Sequence, residues 1–116
     1  MNCKKLNKNR NLAFKTQNGL CCYCQRPMWQ KDCEEFASRL GLTLKQANQR
    51  QSTAEHLVAR CDGGDDSPAN IAAACVACNR WRHRRKRAPS PNECRSIRLE
   101  WAGLSWIVSR GVVYES

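Results

Sequence analysis

The chain has 116 residues, a formal net charge of +10 and nine cysteines, while Leu, Ile, Val and Phe make up about one residue in six. So few large apolar side chains exclude a core that could stabilise the fold alone, and a small domain of this kind needs disulfides or a metal. No apolar run approaches the ~18 residues of a membrane span, and no apolar secretory segment is visible near residue 1. We therefore expect one cytoplasmic domain over residues 1–116 with reduced thiols, which favours a metal over disulfides.

The first half of the chain is predicted to be mostly helical. A basic helix over residues 4–18 leads into a tight turn. A helix from Asp32 to Leu40 begins at a good N-cap residue and ends at Gly41. Thr43 is a suitable N-cap for a second short helix through about Arg50. These two helices form a helical insert over about residues 31–51.

The second half of the chain combines short strands with helices. Strands are predicted at 53–59 and 70–75, separated by a loop rich in Gly, Asp, Ser and Pro. A helix follows over about residues 79–86. Another helix opens at Ser90 or Pro91 and runs to about Ala102, and short strands or a hairpin are expected between residues 105 and 116.

Two cysteine pairs have the spacing of a zinc site. Cys-x-x-Cys turns bring both sulfurs to one side, and two such turns complete the tetrahedral thiolate site of structural zinc. The alternatives are a redox pair or buried free thiols, and Cys22 is an alternative ligand. The remaining cysteines at 3, 33, 61 and 94 are interpreted as ordinary thiols. The expected zinc ligands are Cys21, Cys24, Cys75 and Cys78.

The positive charge is concentrated in two blocks. Residues 1–20 carry five Lys or Arg and no acid, and residues 80–87 carry six Lys or Arg in eight positions. Such blocks favour a polyanionic partner, with nucleic acid first. A solvated, solubilising surface is the alternative.

The order of motifs resembles the HNH endonuclease family, whose core is the ββα-metal motif. In that family a Cys-x-x-Cys pair precedes an acidic residue and a His, a Gly-Gly loop, an Asn, and a second Cys-x-x-Cys followed by Asn. The resemblance covers roughly residues 19–87. In this chain the elements after the first cysteine pair are Glu55-His56, Gly63-Gly64, Asn70, the second pair and Asn79.

The resemblance implies a role for each matching residue. His56 corresponds to the general base that activates water, and Asn70 to the residue that pins the loop and helps to hold that His. Glu55 and Asn79 correspond to the ligands of a catalytic Mg²⁺ or Mn²⁺. The family usually has Asp where this chain has Glu55, whose side chain is one methylene longer. Independently, a hard cation with oxygen ligands and a His base suit phosphodiester hydrolysis.

Nucleic acid is expected to contact the basic residues near these motifs. His83 follows Asn79 by one helical turn and could also touch phosphate or replace Asn79 as a ligand, although we expect it to be solvated. Some arginines of the run must be solvated, because they surround the helix too fully to share one face. The candidates for DNA contact are Arg60, Arg80, Arg82, His83, Arg84 and Arg85.

The helical insert also looks like a helix-turn-helix, with Ala37, Gly41 and neighbouring apolar residues at the expected places. Arg50 breaks that pattern. Packing against the core is the expected role, with Phe36 and Leu40 on the buried face. Reading of DNA is the alternative, with the second helix presenting Lys45, Gln46, Gln49 and Arg50.

These observations predict an α+β fold, a zinc-held ββα-metal core with additional helices. The expected function is metal-dependent hydrolysis of DNA phosphodiester bonds. Two alternatives remain open: a non-catalytic zinc-held module that binds nucleic acid, and a zinc domain that binds an acidic protein. The sequence leaves open nicking or double-strand cleavage, sequence preference, biological role and oligomeric state.

Overall fold

The computed structural model describes residues 3–104 and, at Cys3, the backbone alone. Within this range the fold is α+β, as predicted, with two antiparallel strands, five α-helices and a short 3-10 helix at Arg60–Asp62. The short strands predicted between 105 and 116 lie outside the described residues. None of the described helices has the length and apolar character needed to cross a membrane. In chain order the elements are α1 (Cys3–Thr16), α2 (Cys33–Leu40), α3 (Leu44–Asn48), β1 (Ser52–His56), β2 (Ile71–Cys75), α4 (Val76–His83) and α5 (Pro91–Trp101).

The two strands form a hairpin whose pairing runs from Ser52 opposite Cys75 to His56 opposite Ile71. All five residues of β2 are buried, and three of them are alanines. Their small side chains let the end of α1 approach closely. Gln17, just after α1, both donates to the Ala73 carbonyl and accepts from the Ala73 amide, at 2.8 and 2.9 Å. The side-chain amide of one glutamine, which both donates and accepts a hydrogen bond, thus joins the end of α1 to β2.

Strand β1 ends at His56, three residues before the predicted end at residue 59. The reason is a side chain. Leu57 still donates to the Asn70 carbonyl, but Val58 then pairs with the Asn70 side chain through both its amide and its carbonyl, at 2.8 and 3.0 Å. The side-chain amide of Asn70 therefore replaces the next backbone pair of the two strands.

The core between the hairpin and the helices is built largely from thiols and alanines. Six of its buried residues are cysteines, and Tyr23 and Met28 are the large side chains among them. Transfer of such small groups from water contributes little per residue, since the hydrophobic gain scales with apolar area. The core is as thin as the composition indicates, which makes the cysteine cluster important for stability.

The helical insert follows its predicted caps. The Asp32 side chain accepts from the Glu35 amide, Gly41 takes a left-handed φ of 67°, and Thr43 forms a capping box with Gln46. Leu40 is 41% exposed, so its predicted place on the buried face is wrong. It lies at the last helical position before the turn, whereas Phe36 is buried one turn earlier.

The insert is attached to the start of β1. The Trp29 indole donates to the Ala47 carbonyl at 2.7 Å, and Ser52 donates to the Trp29 carbonyl at 2.9 Å. These bonds fix the second helix of the insert beside the hairpin. Such attachment suits the expected packing role, and reading of DNA by α3 stays an untested alternative.

Candidate active site

Four buried cysteines converge at one end of the hairpin. Cys21 and Cys24 lie in the turn after α1, Cys75 is the last residue of β2, and Cys78 lies in the first turn of α4. Their four sulfurs all lie within 4.8 Å of one another, and those of Cys24 and Cys75 are 4.0 Å apart. A tetrahedral ion with Zn–S bonds of about 2.3 Å separates its sulfurs by about 3.8 Å. The cluster could hold a metal ion, and its donor set makes zinc plausible.

Donors around the cluster favour sulfur in its thiolate form. The amides of Tyr23 and Cys75 point at the Cys21 sulfur at 3.4 and 3.3 Å, and the Arg98 guanidinium lies 3.1 Å from the Cys78 sulfur. Burial raises the pKa of the Cys21 thiol, so these donors alone do not ionise it. A bound cation would, because coordination displaces the thiol proton.

His56 lies at the end of β1 against an acidic loop. Its Nε2 is 2.7 Å from the Asp66 carboxylate, which also accepts from the Arg60 guanidinium at 2.9 Å. Arg60 Nε lies 3.2 Å from the same ring nitrogen, which cannot accept from arginine while donating to aspartate. The shorter bond to a carboxylate prevails. In the neutral tautomer that donates to Asp66, Nε2 carries the proton and Nδ1 carries the lone pair.

Asp66 was not among the residues singled out from the sequence. The bond from His56 lowers the pKa of its carboxyl group, so it is ionised when it holds the ring. Its backbone carbonyl also accepts from Asn9 of α1 at 2.6 Å. The loop that carries Asp66 is closed by Asn70, which donates to the Asp65 carbonyl at 2.9 Å as well as pairing with Val58.

Glu55 points to the opposite side of β1 from His56 and is 1% exposed. One carboxylate oxygen lies 2.7 Å from Nε2 of His83, and the other accepts from the Tyr23 hydroxyl at 2.9 Å. Arg82 donates to this second oxygen at 3.3 Å. The alternation of side chains along a strand is therefore kept, and the two residues of the Glu-His pair face different neighbours.

Helix α4 lies along β1 and brings Asn79 and His83 to the strand. The Asn79 amide nitrogen donates to the Thr53 hydroxyl and the Ala54 carbonyl at 3.0 and 3.2 Å, which leaves its side-chain oxygen as the available ligand atom. His83 is exposed, as expected, and its Nε2 also contacts the Glu55 carboxylate, which the sequence analysis did not predict. Its spacing of four residues from Asn79 was the signal that could have shown this, because i and i+4 share one helix face.

Residues 41–85 match the HNH endonuclease family. This span contains α3, both strands, α4 and the second cysteine pair, and it confirms the resemblance seen in the sequence. No curated protein and no solved structure matches the chain. The HNH match indicates a nuclease or another nucleic-acid-related function.

One basic residue of the HNH match is directed inward. Arg82 is 5% exposed, and its guanidinium donates to Glu55, to the Tyr23 hydroxyl and to three backbone carbonyls. Its assignment to DNA contact is therefore wrong, because its donors are directed into the protein. Its charge balances the buried carboxylate instead. The other candidate side chains for DNA contact are exposed: Arg60, Arg80, His83, Arg84 and Arg85.

A basic cleft opens between the segment that follows β1 and the end of α4. Its cavity of about 800 Å³ is lined by Leu57 and Val58 after β1, by His83, and by the segment from Arg85 to Pro91. Three consecutive cations, Arg85, Lys86 and Arg87, lie along its wall. A cleft with such a wall attracts phosphates and adjoins the candidate centre through His83.

Proposed function

We propose that the chain is a metal-dependent DNA endonuclease that hydrolyses phosphodiester bonds, with His56 as general base. The observation that carries this proposal is the pair of imidazole–carboxylate contacts on the two sides of β1, His56 with Asp66 and His83 with Glu55, each at 2.7 Å. The HNH match at residues 41–85 supports it. The structural zinc would be bound by the four clustered cysteines.

His56 would act through Nδ1. Asp66 holds the ring by Nε2, so the tautomer with a free Nδ1 lone pair is favoured, and the carboxylate stabilises the imidazolium that forms when a water proton is taken up. Arg60 is held by the same carboxylate and remains a candidate for the scissile phosphate. Asn70 would keep the loop in place around this pair.

Glu55, Asn79 and His83 would hold the catalytic divalent ion. They fit it because a buried carboxylate oxygen and an imidazole nitrogen already converge to 2.7 Å, and the Asn79 oxygen comes from the same helix face as His83. When bound, the ion supplies Lewis-acid stabilisation of the charge that develops on the phosphate oxygens. Glu55 and Asn79 alone suit Mg²⁺, whereas participation of the His83 imidazole would favour a transition-metal ion such as Mn²⁺ over Mg²⁺.

Plasmid cleavage tests the proposal. Zinc-loaded protein is incubated with plasmid and either Mg²⁺ or Mn²⁺, beside the His56→Ala variant. Nicked or linear product that forms with the parent protein but not with His56→Ala supports the proposed nuclease activity. An absence of cleavage with both ions, together with intact DNA binding, would instead identify a binding module.

That second candidate, a non-catalytic zinc-held module that binds nucleic acid, has one observation in its favour. Every carboxylate in the centre is already paired: Glu55 with Tyr23, Arg82 and His83, and Asp66 with His56 and Arg60. Buried polar groups that are fully satisfied can serve structure alone. The plasmid assay separates the two candidates directly.

The ion ligands can be tested apart from the base. We expect Asn79→Ala and His83→Ala each to raise the Mn²⁺ concentration for half-maximal cleavage by about 10–100-fold, since each removes a ligand or its orientation. These two variants are preferred because neither side chain is buried. Glu55→Ala would also remove the carboxylate that pairs with the buried Arg82, so its effect on stability would obscure its effect on metal binding. Arg39→Ala is the control, since Arg39 pairs with Glu35 on α2, outside the site. Titration curves of the first two variants that overlay the parent would remove these residues from the ligand set.

Affinity for DNA should fall steeply with salt. Each phosphate neutralised by a Lys or Arg contributes about 0.9 to the slope of log affinity against log salt concentration. Arg85→Ala should therefore lower the slope by about one contact, because Arg85 is exposed on the wall of the cleft. Arg39→Ala is the control, since Arg39 pairs with Glu35 on α2. A flat salt dependence for the parent would favour a protein partner.

A further inference from the structure

Two tryptophans and two arginines form a cluster at the end of the basic cleft. Trp81 of α4 and Trp101 of α5 meet edge to face, with ring centroids 5.3 Å apart. Arg85 lies 4.2 Å above the Trp81 ring, and Arg98 lies 5.1 Å from the centre of the Trp101 ring. Trp81 also packs partly against the core, whereas Trp101 is 58% exposed. Trp101 is therefore the more exposed of the two rings.

A second cavity of about 420 Å³ lies against these rings. Trp81, Trp101 and Ile97 line one side, and the segment from Arg85 to Pro89 contributes to the other. The same segment lines the basic cleft, so the two cavities share a wall. Glu93 borders both cavities, but its carboxylate accepts from the Ser90 amide as part of a helix cap. Arg85 and Arg87 therefore line both cavities, and the two tryptophans line only the second of these two cavities.

We propose that this aromatic pocket binds an unpaired nucleobase of the DNA strand whose phosphates lie along Arg85, Lys86 and Arg87. The chemistry of the pocket matches both parts of a nucleotide, with an exposed indole for the base and adjacent guanidinium groups for the phosphate. An aliphatic protein partner would not need the arginines, and a phosphate alone would not need the indole. Stacking on an aromatic ring is tolerant of sequence, because every base has a π-face.

The proposal defines a substrate class. A base inside a duplex has both faces covered by its neighbours, so it cannot offer one to Trp101 without being unstacked. A base in a single strand or at a frayed end offers its face at much lower cost. We therefore infer a preference for DNA with a single-stranded segment next to the cleft. This inference depends on the proposed function only in taking DNA as the partner.

Binding measurements test the pocket without a cleavage step. In a His56→Ala background, labelled oligothymidylate and a duplex of the same length are titrated with zinc-loaded protein. Trp101→Leu should weaken single-strand affinity by about 10-fold and duplex affinity by less than about twofold, whereas Trp101→Phe should retain most of both. Leu44→Ala is the matched control, since Leu44 is 54% exposed and lines neither cavity.

Single-strand affinity of Trp101→Leu equal to that of its parent would overturn the proposal, as would an equal loss for single strand and duplex. If Trp101→Leu fails to fold, tryptophan fluorescence decides. Oligothymidylate should quench the tryptophan fluorescence of the parent more than that of Trp101→Phe. Equal quenching of the two proteins would overturn the proposal. The binding measurements require no hydrolysis. A protein that binds single strands in this way but cleaves no DNA would therefore support the base pocket and contradict the proposed nuclease activity.

Discussion

His56→Ala is expected to lower the rate of DNA cleavage by about 10²–10⁴-fold, the usual contribution of a general base. DNA affinity and zinc content should stay close to those of the parent, because the His56 side chain is directed at Asp66 and does not line the basic cleft. Rates are measured in single turnover at saturating protein, so that binding does not limit them. A cleavage rate near that of the parent would show that His56 is not the general base.

The second histidine provides the control for this experiment. His83→Ala should also slow cleavage, but excess Mn²⁺ should restore part of its activity if His83 is only a metal ligand. No ion concentration should restore His56→Ala, because the missing group is a proton acceptor. Asp66→Asn should give an intermediate loss, since the ring is kept but its tautomer is no longer fixed by a carboxylate. The same response to Mn²⁺ in both histidine variants would contradict the assignment.

Loss of zinc is expected to unfold the domain. Structural zinc contributes about 10–16 kcal/mol in small zinc domains, as much as or more than the whole ~5–15 kcal/mol of a typical domain's stability. Cys78→Ser should therefore yield protein without zinc and without a cooperative thermal transition. Elemental analysis and circular dichroism measure the two quantities together.

Cys22→Ala is the matched control for the cluster. Cys22 is as buried as its neighbours and lies beside Cys21, but its sulfur is not part of the four-sulfur cluster. One zinc per chain should remain in this variant, with only a modest loss of stability from the smaller side chain. Folded, pure parent protein that contains no zinc would end the claim.

Short-range chemistry explains what could be predicted from the sequence. The helix starts at Asp32, Thr43 and Ser90 follow from caps that bond to amides three residues away, and all three occur in the structure. The spacing within each cysteine pair predicts that its two sulfurs lie on one side, whereas the meeting of the two pairs depends on the fold. The order of the HNH motifs carried the remaining information, since family resemblance preserves contacts that spacing alone does not reveal.

The residues that were missed depend on contacts far apart in the chain. Tyr23 and Glu55 are 32 positions apart, and no local pattern joins them. Within the basic run, Arg82 and Arg84 have the same side chain, and only the packing of α4 on β1 makes one an internal counter-ion and the other exposed. Asp66 lies in an aperiodic loop, where the direction of a side chain is set by the fold.

The place of Tyr23 in the chain has a consequence for the maturation of the protein. This residue stands between Cys22 and Cys24, inside the turn that zinc would organise, while its hydroxyl holds the carboxylate assigned to the catalytic ion. Under the proposed assignments, zinc binding would have to precede assembly of the catalytic metal site. A newly made chain would then gain its nuclease activity only after it had bound zinc.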